Sequence, residues 1–195
     1  MAEKFKDKYR IESARLPHWN YGWAGNYFIT ICTKDRENYF GKVVDGKMEL
    51  SAAGVIANIC WYEIKNHTKN IDLGEFVIMP NHMHGILILN RNDGGENALP
   101  VVETLHATSL RSPRPPQSPP NPQFAHISPK SGTVSAIIRS YKSAVTRHAN
   151  RLGFDFAWQT RFYDHIIRND TSFHEISNYI INNPGKWQED KFYSK

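Results

Sequence analysis

The stretch MPNHMHGILIL, residues 79–89, sets His82 and His84 one residue apart at the mouth of an apolar run. Such a pair can chelate one metal ion if both rings face the same way. A strand provides that, because successive side chains alternate between its faces: His82, His84, Ile86 and Ile88 share one, Met83, Gly85, Leu87 and Leu89 the other. Both faces are apolar beyond position 85, which predicts a central strand covered on at least one side, with the histidines at one end. Two ligands alone do not make a site, and without a third the pair reads equally well as two ordinary histidines near a strand end. Only Cys32 and Cys60 are present, with no CxxC pattern. Neither a disulfide framework nor a thiolate zinc site is indicated, so a metal must draw on His, Asn, Asp or Glu.

A third ligand is available in TSFHEISNYIINNPGKW, residues 171–187. Tyr179 and Asn183 stand four residues apart, so one helical turn puts them on the same face. An Asn183 carbonyl can then complete a His-His-Asn site while the Tyr179 phenol stands beside it, a nucleophile next to a Lewis acid. Other tyrosines fail the same test: four residues past Tyr141 is Val145, and four past Tyr163 is Ile167, neither able to ligate. Bland readings compete, since a tyrosine on a short amphipathic helix is usually packing and an Asn before Pro184 is a common helix stop.

The remaining pattern supplies the elements that must position these groups. NYFITICT, residues 26–33, is a strand by its β-branched and aromatic content. Asp45-Gly46 between two short apolar runs predicts a tight hairpin. Residues 51–66 predict a helix capped by Ser51, followed by the strand LGEFVIMP and then the histidine strand. From Arg91 to about Lys130 the periodicity stops, and six of the twelve residues from Arg111 to Pro122 are proline. That composition predicts a polyproline-like spacer, with a proline-rich ligand for another protein as the lesser alternative. Val134, Ile137, Ile138, Tyr141, Ala144, Val145 and Leu152 then form a helical stripe ending at Gly153, with Arg139, Lys142 and Arg147 opposite. FAWQTRFYDHIIRN reads as an extended stretch closing on a strand, and Ser172 and Glu175 have capping-box spacing at the start of a last helix that Pro184 limits to about residue 182. Strands and helices alternate around an antiparallel-capable sheet, so the expected class is α+β of ferredoxin-like type. One domain over residues 1–195, interrupted by a Pro-rich loop at about 94–130, accounts for the whole chain.

Twenty-four Lys and Arg against 19 Asp and Glu give a formal charge of +5 and a pI near 9.2, which favours polyanionic partners. Basic residues recur beside aromatics at Lys8-Tyr9-Arg10, Arg139 to Lys142, Arg161-Phe162-Tyr163 and Lys191-Phe192-Tyr193. Cations meet phosphates while rings stack on unpaired bases, so the interleaving suits a single strand, although amphipathic packing explains each cluster separately. No window approaches the roughly 18 apolar residues of a membrane span, and the N-terminus carries charges where a signal peptide is apolar. A cytoplasmic protein is expected.

Four ordered blocks, GNYFITICTKDRENYFG, FVIMPNHMHGILIL, AWQTRFYDHIIRND and YIINNPGKW, give the chain a further likeness. Together they resemble the REP-associated tyrosine transposases, relatives of the small single-tyrosine (HUH) insertion-sequence transposases, over roughly residues 9–93 and 131–187. The resemblance implies an HUH endonuclease fold with a ferredoxin-like core, His82 and His84 as metal ligands, Tyr179 as catalytic nucleophile and Asn183 as the helix-borne third ligand. It also implies cleavage and rejoining of single-stranded DNA beside hairpins through a 5′-phosphotyrosine, in a nucleoid-associated setting. Insertion-sequence relatives exchange catalytic helices within a homodimer, whereas the REP-associated branch is expected to act as a monomer. A mixed imidazole and amide-oxygen site suits Mg²⁺ or Mn²⁺, Mn²⁺ tolerating imidazole better, with zinc left open. Arg139, Lys142, Arg161 and Arg168 are the candidate DNA-binding residues, joined by His165. Two features depart from the family pattern: the length of the Pro-rich stretch, and Thr160 in WQTRFY where Arg is commoner. A catalytically silent single-stranded nucleic-acid binding module is the alternative reading. A cupin-type oxygenase is disfavoured by long helices and by the lack of a carboxylate after HMHGILIL.

Overall fold

Runs rich in β-branched and aromatic residues build the centre of the sheet. The structure, a computed structural model, describes residues 21–90 and 131–193. Strand β1 (Gly25–Cys32) pairs antiparallel along its whole length with β5 (His82–Leu89), Thr30 opposite His84 and Cys32 opposite His82. Strand β4 (Ile71–Ile78) flanks β5, and β6 (Tyr163–Ile167) flanks β1, giving the order β4-β5-β1-β6 with every neighbour antiparallel. Helix α1 (Ala52–Tyr62) precedes β4, and helix α3 (Val134–Arg151) connects β5 to β6. This is the split βαβ arrangement of a ferredoxin-like α+β domain, as expected from the sequence. A side hairpin, β2 (Gly41–Val44) and β3 (Lys47–Leu50), turns at Asp45-Gly46. Both turn residues have left-handed φ, 49° and 71°, which a two-residue hairpin turn of this twist needs and which Asp-Gly supplies.

The sheet's two faces are covered differently. Tyr27, Ile29, Ile31, Met83 and Leu87 pack under α1 and α3, with Trp61 of α1 fully buried against them. Trp61 approaches so closely that a Cβ on Gly85 would lie 2.4 Å from its ring, which explains a glycine in the middle of a central strand. Helix α4 (Asp170–Asn182) lies on the other face, along β4 and β5, where Ile180 closes over Ile86 and Ile167. A 3-10 turn, Pro184–Glu189, continues from α4 and leads into Phe192, so the end of the described chain folds back over Cys32 and Met79.

Local details differ from the sequence pattern at the helix ends, where backbone and side-chain hydrogen bonds outweigh periodicity. The helix expected over 51–66 splits, because backbone bonding changes register at Glu63 and a short helix α2 (Ile64–His67) follows. The Ser51 cap is as expected, accepting from the Gly54 amide at 3.1 Å. Helix α4 is capped by Asn169, which accepts from the Ser172 amide at 2.8 Å, rather than by Ser172 itself. Leu152 does not join the buried stripe of α3: it is the C-cap residue and is 65 % exposed. The Pro-rich stretch, the Lys8-Tyr9-Arg10 cluster and the loop at 94–130 lie outside the described residues. Among the described residues no helix is long and apolar enough to cross a membrane.

Candidate active site

Strand β5 delivers His82 and His84 to the face covered by α4, as its alternation requires, with ring centroids 4.6 Å apart. Both are buried. Their hydrogen bonds fix the direction of each ring. His82 Nδ1 lies 2.9 Å from Asn81 Oδ1, and the Asn81 amide donates to the Phe192 carbonyl at 2.8 Å. With its amide nitrogen so used, Asn81 presents an oxygen, so His82 Nδ1 carries the proton and Nε2 keeps its lone pair. That Nε2 is buried and has no hydrogen-bond partner. His84 Nδ1 is held at 2.8 Å by Thr30 Oγ1, its cross-strand neighbour, and its Nε2 meets the Tyr179 hydroxyl at 3.1 Å.

Helix α4 supplies that phenol because its apolar side, Ile176 and Ile180, seats it on the sheet while Tyr179 points toward β1. Tyr179 is 43 % exposed, with its ring 5.2 Å from His84 and edge-on to Phe28 at 6.3 Å. Asn183, four residues on, is buried, and its amide donates to Asp190 Oδ2 at 3.1 Å. Its own Oδ1 is buried with no hydrogen-bond partner.

Asp190 is the residue that sequence reading missed. Its Oδ1 accepts from the Phe192 amide at 2.7 Å, and its Oδ2 accepts from the Tyr179 hydroxyl at 3.4 Å. Ligand atoms of His82, His84 and Asp190 all lie within 4.8 Å of one another. Asp190 follows a 3-10 turn with no periodicity, and no spacing rule ties it to residue 82 or 84. Asn81 and Thr30 were missed for a related reason, since they act on the rings rather than on a ligand.

Electrostatics suit the rings to ligation. Burial pushes His82 down to about 3, with the charges of Lys191 and Arg36 adding to the effect. His84 falls well below its ordinary value through burial and the neighbouring His82. Both are neutral near pH 7, the form that offers a lone pair. Tyr179 is pushed up to about 12 by burial first, then by the charge and hydrogen bond of Asp190. The phenol is therefore protonated at neutral pH and needs help to act as a nucleophile.

The donor set fits a divalent cation. Two buried acceptors, His82 Nε2 and Asn183 Oδ1, have no hydrogen-bond partner, and a carboxylate stands beside them. Imidazole with amide and carboxylate oxygen is chemistry for Mn²⁺, Mg²⁺ or Zn²⁺. His82 and His84 are thus brought together with Asp190, and Tyr179 and Asn183 each join that group through a hydrogen bond to Asp190.

The candidate DNA-binding residues are placed apart. Arg139 is exposed on α3, on the sheet face opposite the histidines. Lys142, on the same helix, donates to the Gln159 carbonyl and lies over the Trp158 ring, whose indole donates to the Lys142 carbonyl at 3.2 Å. It holds the segment before β6. Arg161 and Arg168 are exposed at the two ends of β6, on the edge of the sheet. Arg36 and Lys191, which sequence reading did not single out as a pair, lie over the Phe192 ring at 5.1 and 4.8 Å, and that ring sits 4.6 Å from His82.

Comparisons with known proteins bear on this geometry. No protein-family model matches the chain. A protein of Haemophilus influenzae, itself uncharacterized, is 38 % identical over 182 residues, 93 % of this chain and 92 % of that one. Among solved structures, a REP-associated tyrosine transposase bound to a REP hairpin superposes with a TM-score of 0.54 at 19 % identity, over 90 % of this chain and 74 % of that one.

Proposed function

Because the chain belongs to one family with the Haemophilus influenzae protein and has the fold of the REP-associated tyrosine transposases, an HUH transposase fold, we propose that it is a metal-dependent DNA transposase or endonuclease. In this reading it cleaves and rejoins single-stranded DNA near hairpins through a covalent 5′-phosphotyrosine on Tyr179. The observation that carries the reading is the Tyr179 hydroxyl held 3.1 Å from His84 Nε2, beside two neutral histidines and Asp190. A tyrosine placed for packing alone has no need of a strand-borne histidine pair at its hydroxyl.

His82, His84 and Asn183 are the proposed holders of a Mg²⁺ or Mn²⁺ ion, with Asp190 at the same point. Such an ion supplies positive charge that polarises a phosphate and stabilises the charge developing on its oxygens. The rest follows from the chain's own groups. Asn81 and Thr30 fix the two ring orientations, so the lone pairs stay aimed at one place without reorganisation. Burial keeps both rings unprotonated. The Tyr179 hydroxyl gives up its proton, its oxygen bonds to phosphorus, and the bond from phosphorus to the leaving 3′-oxygen breaks, with a proton completing the 3′-hydroxyl. Attack by a 3′-hydroxyl reverses the exchange, so no nucleotide cofactor is needed for rejoining.

The test is incubation with labelled hairpin-forming single-stranded DNA and Mn²⁺, followed by a denaturing gel. A covalent adduct is expected for the natural protein and none for Tyr179→Phe, which still binds the DNA. An undiminished adduct in Tyr179→Phe, mapping to Tyr141 or Tyr163, sinks the assignment.

A further inference from the structure

We propose that the half of the histidine-bearing face formed by β1 and β6 is a docking platform on which unpaired DNA bases stack beside the Tyr179 hydroxyl. The inference rests on the reading of the site as one that acts on single-stranded DNA, and it assigns that strand a path. Register places the residues. Tyr163 is opposite Thr30, which is opposite His84, and His165 is opposite Phe28, which is opposite Ile86. These two cross-strand rows share one face, and Tyr163 stands two strands, roughly 10 Å, from His84.

Cover on that face is uneven. Helix α4 packs along β4 and β5 and its Ile180 reaches Ile167 at the far end of β6, while Tyr179 points toward Phe28 and the Tyr163 end of β6 stays open. At that end Tyr163 is 49 % exposed and His165 is exposed, whereas Asp164 and Ile166, the alternate residues of β6, turn to the other face and are buried. Phe28 joins the platform to the site: its ring stacks on His84 with centroids 5.2 Å apart and planes 28° apart. Single exposed aromatics are ordinary, but three rings in adjoining rows running up to a nucleophile form a surface suited to flat ligands.

Charge chooses the occupant. Arg161 and Arg168 bracket β6, placing cations at both ends of the platform where phosphates of a stacked strand would run. The cleft along α4 that Tyr179 also lines holds Glu175, Glu189 and Asp190 against one cation, Lys186, so away from a metal-held phosphate it is the less favourable side for the phosphates of a strand. A nucleic acid strand therefore approaches over β6 rather than along α4.

The experiment uses hairpin oligonucleotides with a single-stranded flank, 5′ or 3′, that contains 2-aminopurine, whose fluorescence is quenched on stacking. Full-length protein should quench the flank probe and bind flanked hairpins more tightly than blunt ones. Tyr163→Ala should lose the quenching and weaken binding of the flanked hairpin at least about fivefold, the low end of base–aromatic stacking, without changing affinity for the blunt hairpin. Tyr163→Phe should restore both. Unchanged quenching in Tyr163→Ala, or an equal loss on flanked and blunt hairpins, overturns the platform. Binding is read without chemistry, so a failed adduct test with flank-dependent binding intact removes the transposase reading and leaves the platform, and the reverse pattern removes the platform alone.

Discussion

His82 and His84 spend the same ring atoms differently. In His82 the Nδ1 proton is committed to Asn81, leaving a buried Nε2 with no hydrogen-bond partner, whereas His84 Nε2 holds the phenol. Replacing both histidines with Ala should abolish Mn²⁺ binding by calorimetry while far-ultraviolet circular dichroism stays unchanged; equal affinity in the double variant would place the ion elsewhere. Asp190 acts on the phenol through its charge and hydrogen bond, so Asp190→Asn should bring the Tyr179 pKa down from about 12. Titration of tyrosine-labelled protein by carbon NMR checks the direction. The depressed histidine also writes a pH dependence into stability. His82 stays unprotonated in the folded state down to about 3 but takes a proton near 6.5 when unfolded. Its contribution is thus complete above about pH 6.5 and is lost as pH falls toward 3, with a slope of up to about 1.4 kcal/mol per pH unit for this one proton. Urea midpoints measured between pH 7 and pH 4 should fall, and His82→Ala should flatten the slope.

At the scale of elements, one contact decides whether the histidine strand lies flat. Gly85 follows the second histidine, and Trp61 of α1 occupies the space its side chain would need. Gly85→Ala should cost about 1–3 kcal/mol, the usual range for overpacking a close-packed core. The loss should appear as a lowered thermal midpoint, and activity should fall with it, since β5 carries His84 in the adjoining position. A midpoint equal to that of the natural protein would show that Trp61 yields without strain. A second junction joins β5 to the end of the described chain. Asn81 holds both the His82 ring and the Phe192 carbonyl, so the turn that carries Asp190 is tied to the strand that carries the histidines. Helix α4 is fixed separately, by the Asn169 cap and by Ile180 over the sheet. The site stands where three independently anchored elements meet.

For the molecule as a whole, the phenol, both histidines, Asn183 and Asp190 come from one chain. No helix from a second copy is needed to complete the group. Mixing Tyr179→Phe with the His82→Ala/His84→Ala variant should therefore restore no covalent adduct, because neither chain lends the other its helix. Recovery of adduct in the mixture would show exchange of α4 between subunits. The net charge of +5 bears on the substrate at the same scale. Binding should weaken steeply as salt rises, because phosphate contacts release counterions. Stacking and pairing brace a phosphate in regular duplex, so fully paired DNA should be cut at least about tenfold more slowly than the hairpin form, a difference of roughly 1.4 kcal/mol in barrier. Equal rates at matched salt and Mn²⁺ would contradict a single-stranded preference.

Local rules were enough to write much of this into the sequence. Alternation in HMHGILIL put both imidazoles on one face, a four-residue spacing put Tyr179 and Asn183 on another, and Ser51 and Asp45-Gly46 marked a helix start and a hairpin, because each depends on backbone geometry within a few residues. The α+β class followed from the order of those periods. Tertiary structure alone decided which groups meet. Asp190 reaches the histidines through a fold-back of the chain that no periodicity records, Thr30 reaches His84 through strand register, and Arg139 and Lys142 land across the sheet from the site while Arg161 and Arg168 lie exposed at the ends of the edge strand β6. Hydrogen-bond direction and desolvation, which set the His82 tautomer and hold Tyr179 near 12, arise only when distant segments exclude water around one another.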